Sequence, residues 1–359
     1  MSSLSADPNR IKEEAIEKAS QDAWYQSKAF KRFIRNPLAI LGSTLLLLFA
    51  LIAIFAPVIT AGQIAERQRG HTCGRDLGLP RGEEGAAMLR NPTTGVFWRA
   101  LVVPPGSCMK IPRYSRSPIA APPSAENIMG TTGGNRGSGY DIFYGVIWGT
   151  RTAFYIGVLV MAISLFIGGV IGGLSGFLGG WVDDVLMRFT DIVYAFPNLI
   201  LAMVFVTILG PGLTNALVAL SIVGWTGYAR IFRGDILKTK NLEYVDGAEA
   251  LGANKWRVFF KHIFPNSIGS LIIIASLDIG AVVLTASTLS FLGLGAEEGF
   301  ADWGQIVNFA RDTMLGSPGK PFVFWYTYVW PSLAIALFVL GWNLMGDAYR
   351  DVADTRSQA

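Results

Sequence analysis

Long apolar runs alternate with short polar stretches along most of this chain, and six of the runs lie at 38–60, 152–178, 186–209, 215–236, 267–292 and 322–345. Crossing roughly 30 Å of hydrocarbon takes about 20 apolar residues at 1.5 Å of rise each. Each run meets that length, so the pattern predicts an all-α polytopic membrane protein with six transmembrane helices. Residues 61–142 break the pattern: they are interrupted by Gly and Pro, including PPG at 104–106 and APP at 121–123, and show no sustained helical period. Mostly loop with short strands or turns is expected there.

Composition agrees with the membrane reading. With 51% hydrophobic and only 16% charged residues, a water-soluble fold would lack the polar surface to cover its apolar side chains. Charge then orients the helices, because Lys and Arg in short loops stay on the cytoplasmic side. Arg10, Lys12, Lys18, Lys28, Lys31, Arg32 and Arg35 precede the first run, and Lys238, Lys240, Lys255, Arg257 and Lys261 link the fourth to the fifth. The Pro211–Thr214 link has none. Both termini are therefore expected in the cytoplasm. Residues 61–150 would lie outside despite ten Lys and Arg, since long segments translocate largely regardless of charge. The net charge of +4 reads as flanking charge plus this loop, and no clustered motif points to nucleic acid.

The expected organisation is a cytoplasmic segment 1–37, a first helix 38–60, an extracytoplasmic insertion with a lead-in to the second helix at 61–150, a core at 151–347 and a cytoplasmic tail 348–359. Within the core lie a cytoplasmic loop 237–266 and an external excursion 293–321, whose Trp303 reads as an interfacial anchor of a short helix. In the leader, Ile16, Ala19, Ala23, Phe30 and Phe33 fit an interfacial helix, with a solvated leader as the alternative. Cys73 and Cys108 both fall in the insertion, on the side where disulfides persist, and are expected to pair, the alternative being two free thiols.

Candidate chemistry is concentrated in few places. From Glu243 to Asn266 the sequence EYVDGAEALGANKWRVFFKHIFPN mixes Glu243, Asp246 and Glu249 with apolar residues, and Gly252 is placed to end a short helix. Pro265 restricts the residue before it and can open the next helix. Asp278 lies deep in the fifth run, where an ionisable group must face protein or water; lining a path and making a local hydrogen bond are both open. Asp183, Asp184, Arg188 and Asp191 read as a solvated hinge, and Gly168, Gly169, Gly172, Gly173 and Gly176 as a face for close helix packing. Trp225, Trp330 and Trp342 fit membrane edges or the core. No Gly-rich loop ends in Gly-Lys-Ser/Thr, and His71, His262 and Cys73 make no credible metal site, so no cofactor is expected on this chain.

At the cytoplasmic loop the sequence resembles the docking loop of ABC importer permeases: Asp246-Gly247-Ala248, Gly252 and Phe264-Pro265 stand where that family has Glu-Ala-Ala, Gly and a hydrophobic residue with Pro. Asp and Gly replace the first two residues of the signature, while the Gly and Pro spacing is kept. Further segments resemble the C-type permease of peptide and nickel importers: Ile128-Met129-Gly130-Thr131-Thr132, Arg188-Phe189-Thr190-Asp191, Leu289 to Gly295, Trp303-Gly304 and Asn343 to Asp347. The resemblance is close over 128–351 and does not cover most of 61–127.

What the resemblance implies is a type I ABC importer transmembrane domain in the cell membrane of a prokaryote, passing di- or oligopeptides. Its partners would be a B-type permease, two cytosolic ATPases that carry ATP and Mg, an extracytoplasmic binding protein and membrane lipid. Glu243, Asp246, Gly247, Ala248, Glu249, Gly252, Lys255, Arg257 and Pro265 would then be the ATPase-docking residues, and Asp278 a residue of the path. A permease for nickel or another small solute, an independent channel or secondary transporter using Asp278, and a membrane-bound receptor are the other readings.

Overall fold

A computed structural model describes residues 33–66, 72–102, 107–114, 120–133, 139–316 and 322–354. The expected leader helix lies outside these residues, apart from Phe33. The described chain is mostly helical. Helix α1 is Pro37–Ile59, opened by Asn36, whose side chain accepts from the Leu38 N–H at 2.9 Å. Its outer face carries Leu38, Ile40, Leu41, Leu47 and Leu48, all exposed, as a helix in lipid requires.

Four short helices follow in the insertion: α2 (Ala61–Ala65), α3 (Cys73–Asp76), α4 (Glu83–Arg90) and α5 (Gly95–Leu101). The expectation of mostly loop is corrected here: helices of four to eight residues span too few turns to show a period in sequence. Strand β1 (Arg113–Tyr114) pairs antiparallel with β2 (Gly139–Tyr140). A disulfide joins Cys73 to Cys108, with Cα atoms 4.4 Å apart.

Helix α6 runs from Ile142 to Leu178, 37 residues capped by the Asp141 carboxylate on the Tyr144 N–H at 2.7 Å. It begins well before Thr152, so the lead-in to the second apolar run is already helical. Glycines spaced by four residues put its backbone against the later helix α9 (Leu213–Lys240). A Cβ on Gly172 would lie 2.2 Å from the Ala229 carbonyl oxygen and one on Gly168 2.6 Å from that of Trp225. Any side chain there would force the helices apart.

The third apolar run is not one helix. It divides into α7 (Gly180–Tyr194) and α8 (Asn198–Leu209), bent by 85° at the intervening residues. Pro197 explains the break, since it lacks an N–H and disfavours helical backbone at Phe196. Helix α9 leads into α10 (Glu243–Ala250) and α11 (Lys255–Val258). A widened π turn at Phe259–Ile263 then opens into α12 (Phe264–Phe291). Helices α13 (Trp303–Ala310) and α14 (Tyr326–Asp354) complete the bundle.

Four helical stretches among the described residues are long and apolar enough to cross a membrane, or five if the bent α7–α8 pair is one span. Helix α9 is not among them: Arg230, Arg233, Asp235, Lys238 and Lys240 occupy its second half.

The largest buried cluster lies where the insertion meets the bundle and includes Phe49, Tyr144, Trp148, Trp303 and Phe338. Phe49, Trp303 and Phe338 meet edge to face at 5.5–5.9 Å. Trp303 is 1% exposed and its indole N–H donates to the Val146 carbonyl at 2.9 Å. It is a core residue, not the interfacial anchor expected, because its single donor is satisfied by backbone rather than by water. Pro57 leaves the Ala53 carbonyl without its helical donor, and the Arg151 guanidinium supplies one from α6.

Candidate functional site

The charged segment after α9 folds as a short crosspiece between α9 and α11. Thr239 accepts from the Leu242 N–H at 3.2 Å, turning the chain out of α9, and α10 begins at Glu243. The helix ends in a turn in which Gly252 N–H donates to Glu249 and Ala253 N–H to Ala248. Gly252 has φ +79°, a conformation that glycine adopts without the steric penalty of a Cβ. Asn254 then caps α11, its side chain accepting from Trp256 N–H at 3.0 Å.

Only Val245 of α10 is buried, packed with Val258, Phe259 and Ile263. The opposite face is open: Glu243, Asp246, Gly247 and Glu249 are exposed, with Ala248 half-buried. Lys255, Arg257 and Pro265 are exposed beyond the turn. Among the described residues none of Glu243, Asp246, Glu249, Lys255 and Arg257 forms an ion pair. Leu251 is 90% exposed, and Tyr244, Trp256 and Phe260 are exposed nearby. Exposed apolar side chains thus lie beside charges that form no ion pair among the described residues. All nine sequence-selected residues lie in this one segment.

Asp278 lies apart from them, on α12. Its carboxylate accepts from the Tyr228 hydroxyl of α9 at 2.7 Å and lines a cavity of about 210 Å³ with Ser164, Asn198 and Thr285. The Ser164 hydroxyl is buried without a partner. Of the two expectations for Asp278, the local hydrogen bond is present, and the carboxylate also borders this cavity.

Between these sites is a group that sequence reasoning misread. Arg233 of α9 grips Asp183 of α7 through two bonds of 2.6 Å, and the Ser175 hydroxyl donates to the same carboxylate. Arg230 holds Asp191 at 2.6 Å while lying over the Tyr194 ring at 3.9 Å. Asp183 and Asp191 are therefore not a free solvated hinge but ties that fasten α7 to α9. Arg230 and Arg233 carried no signal beyond their charge, because their partners lie about 40 to 50 residues away. No group of three or more His, Cys, Asp or Glu among the described residues has the arrangement of a metal site.

The opposite end of the bundle has its own buried acid. Asp302 caps α13 by accepting from Gly304 N–H at 3.2 Å, and burial pushes its carboxyl up to about 6 against the pull of the Ser290 hydroxyl and that N–H.

Residues 168–358 match the family described as the binding-protein-dependent transport system inner membrane component. Residues 21–70 match the N-terminal transmembrane domain of oligopeptide transport permease C. The chain is 31% identical over 332 residues to a dipeptide transport system permease protein of Alkalihalophilus pseudofirmus, covering 92% of this chain and 90% of that one. It is 39% identical over 218 residues to the glutathione transport system permease protein of Pectobacterium atrosepticum, covering 61% and 70%. A probable D,D-dipeptide transport system permease protein of Escherichia coli is 39% identical over 236 residues, covering 66% and 76%.

Proposed function

This chain belongs to the peptide-family ABC permeases, a multi-pass membrane subunit of a transport system, and on that premise we propose that it passes di- or oligopeptides inward and couples that passage to ATP hydrolysis on partner subunits. The exposed α10, held to the bundle by buried Val245 and half-buried Ala248 and flanked by charges that form no ion pair among the described residues, is the observation that supports this reading. It would seat in a cytosolic ATPase, one of two that bind ATP and Mg, while a B-type permease supplies the other wall of the path. An extracytoplasmic binding protein would deliver the peptide. The bent α7–α8 pair and α9 then count as crossings, giving six spans with both termini in the cytoplasm of a prokaryotic inner membrane.

The ties between α7 and α9 support a mechanism. A push on α10 moves the end of α9, and Arg233 and Arg230 carry the movement to α7 through Asp183 and Asp191. The Arg233–Asp183 pair, with two bonds, and the single Arg230–Asp191 bond fasten α7 to α9, so α7 follows α9 as one body. Asp278 faces the cavity between α6, α8, α9 and α12 and would meet a peptide's positive groups there. The peptide assignment is supported by the relatives' dipeptide and glutathione names.

The test is isolation of the full chain from its native membrane with its associated proteins, followed by reconstitution. A second permease and two ATPases should accompany it, and uptake of short peptides should require ATP. Uptake of peptide by the isolated chain without ATP would overturn the reading.

A further inference from the structure

We propose that the outer mouth of the bundle recognises both charged ends of a short zwitterionic peptide, Lys110 taking the carboxylate and Glu297 the ammonium group. The inference deepens the transport reading and rests on it. A cavity of about 400 Å³ opens there, lined in part by Lys110, Tyr155, Thr214, Asn215, Glu297 and Phe300. That volume is in the roughly 300–1,000 Å³ range of small-ligand pockets. Three segments far apart in sequence build it: the insertion, the turn between α8 and α9, and the loop after α12.

Their backbones are tied. Lys110 bridges Phe300 antiparallel, with Ile111 N–H donating to Gly299 and Ala301 N–H to Met109, each at 2.7 Å. Cys108, two positions before Lys110, is bonded to Cys73, and the Thr152 hydroxyl of α6 holds the Ala301 carbonyl at 2.7 Å. The Gln305 amide donates to the carbonyls of Ala296 and Glu297 at 2.6 and 2.7 Å. On the far wall the Asn215 amide clasps the carbonyls of Leu209 and Gly210 at 3.0 Å each.

On this fixed frame two side chains of opposite charge stand exposed, and neither forms an ion pair among the described residues. The adjacent carboxylate behaves differently: Glu298 accepts from the Tyr140 hydroxyl at 3.0 Å and pairs with Arg113 at 3.7 Å. One acid of the Glu297-Glu298 pair is therefore spent on structure and the other is left facing the cavity with Lys110. A ligand with one cationic and one anionic end, and an apolar middle to rest on Phe300, complements that wall. The insertion, whose sequence pattern assigns it no role, supplies the cation.

The probes are dialanine, dialanine amide and N-acetyl-dialanine, taken up by proteoliposomes holding the whole transporter with its binding protein. Lys110→Met should raise KM for dialanine about five-fold, the worth of about 1 kcal/mol, and leave KM for the amide unchanged. Glu297→Gln should do the same for dialanine and spare the N-acetyl form, and Lys110→Arg should behave as wild type. Equal losses for all three peptides, which damaged docking of the binding protein would cause, overturn the proposal, as does no change in either variant. A wild type that takes up none of them sinks the peptide reading and this proposal together.

Discussion

The end of the molecule that carries the insertion and the crosspiece between α9 and α11 solve opposite problems. At the first, four short helices, a disulfide and α13 bury Trp148 and Trp303 completely or nearly so, and acids such as Glu298 find partners. At the second, α10 buries Val245 alone fully, and its charges form no ion pair among the described residues. The first end buries its large aromatic side chains within the subunit, whereas the crosspiece leaves Tyr244, Leu251 and Trp256 exposed. Packing therefore holds the first end in place and fixes the crosspiece far less.

Truncating the outer core should break this contrast most sharply. Trp303→Ala removes an indole that touches Phe49 and Phe338 and donates to the Val146 carbonyl, so a loss of about 3–5 kcal/mol is expected. Thermal melting of the purified transporter would show it; an unchanged midpoint would mean that the aromatic cluster is not the keystone of the outer end.

Next in size is the buried Asp302. With its carboxyl raised to about 6, the folded protein favours the protonated form. The stability from that group is complete below the ordinary value of 3.8 and is lost as pH rises through about 6, a span of about 2 kcal/mol or more. Asp302→Asn keeps an acceptor for the Gly304 N–H and removes the charge. Melting measured at pH 5 and pH 8 should converge in the variant, and an unaltered gap would place the pH dependence elsewhere.

The crosspiece should respond in the reverse manner. Gly252→Val forces a β-branched residue into φ +79°, costing about 1–2 kcal/mol locally, yet nothing lies within 4 Å of the added Cβ to disturb the bundle. Melting should move little while peptide-stimulated ATPase activity falls about ten-fold or more, a pattern the outer variants would not give. Retained coupling at full rate would remove α10 as the coupling element. The smallest effect belongs to Gly247→Ala, which has open space for its methyl and should firm α10 by about 1 kcal/mol or less. Hydrogen exchange of residues 243–250 would slow if so.

The crosspiece was the most legible part of the chain. Its helix, its stop at Gly252 and its exposed acids follow from local rules of capping and charge, which need no neighbour in space. Pro197 was equally visible, but its bend was masked because apolar residues continue on both sides and a hydropathy pattern has no direction. Trp303 could serve a membrane edge or a core, and only its neighbours distinguish the two. The helices of the insertion were hidden because each is too short to be stable alone and takes its support from burial and the Cys73–Cys108 bridge.

Local chemistry, then, was enough to place the chain in a bilayer and to mark the charged short helix that stops at Gly252, because hydropathy, capping and charge act between near neighbours in sequence. Three-dimensional packing alone brought Arg233 to Asp183, Tyr228 to Asp278, and Lys110 to the same cavity as Glu297. Those pairings join groups separated by about 50 to nearly 190 residues, and no periodicity of a single segment encodes which distant partner a side chain will meet.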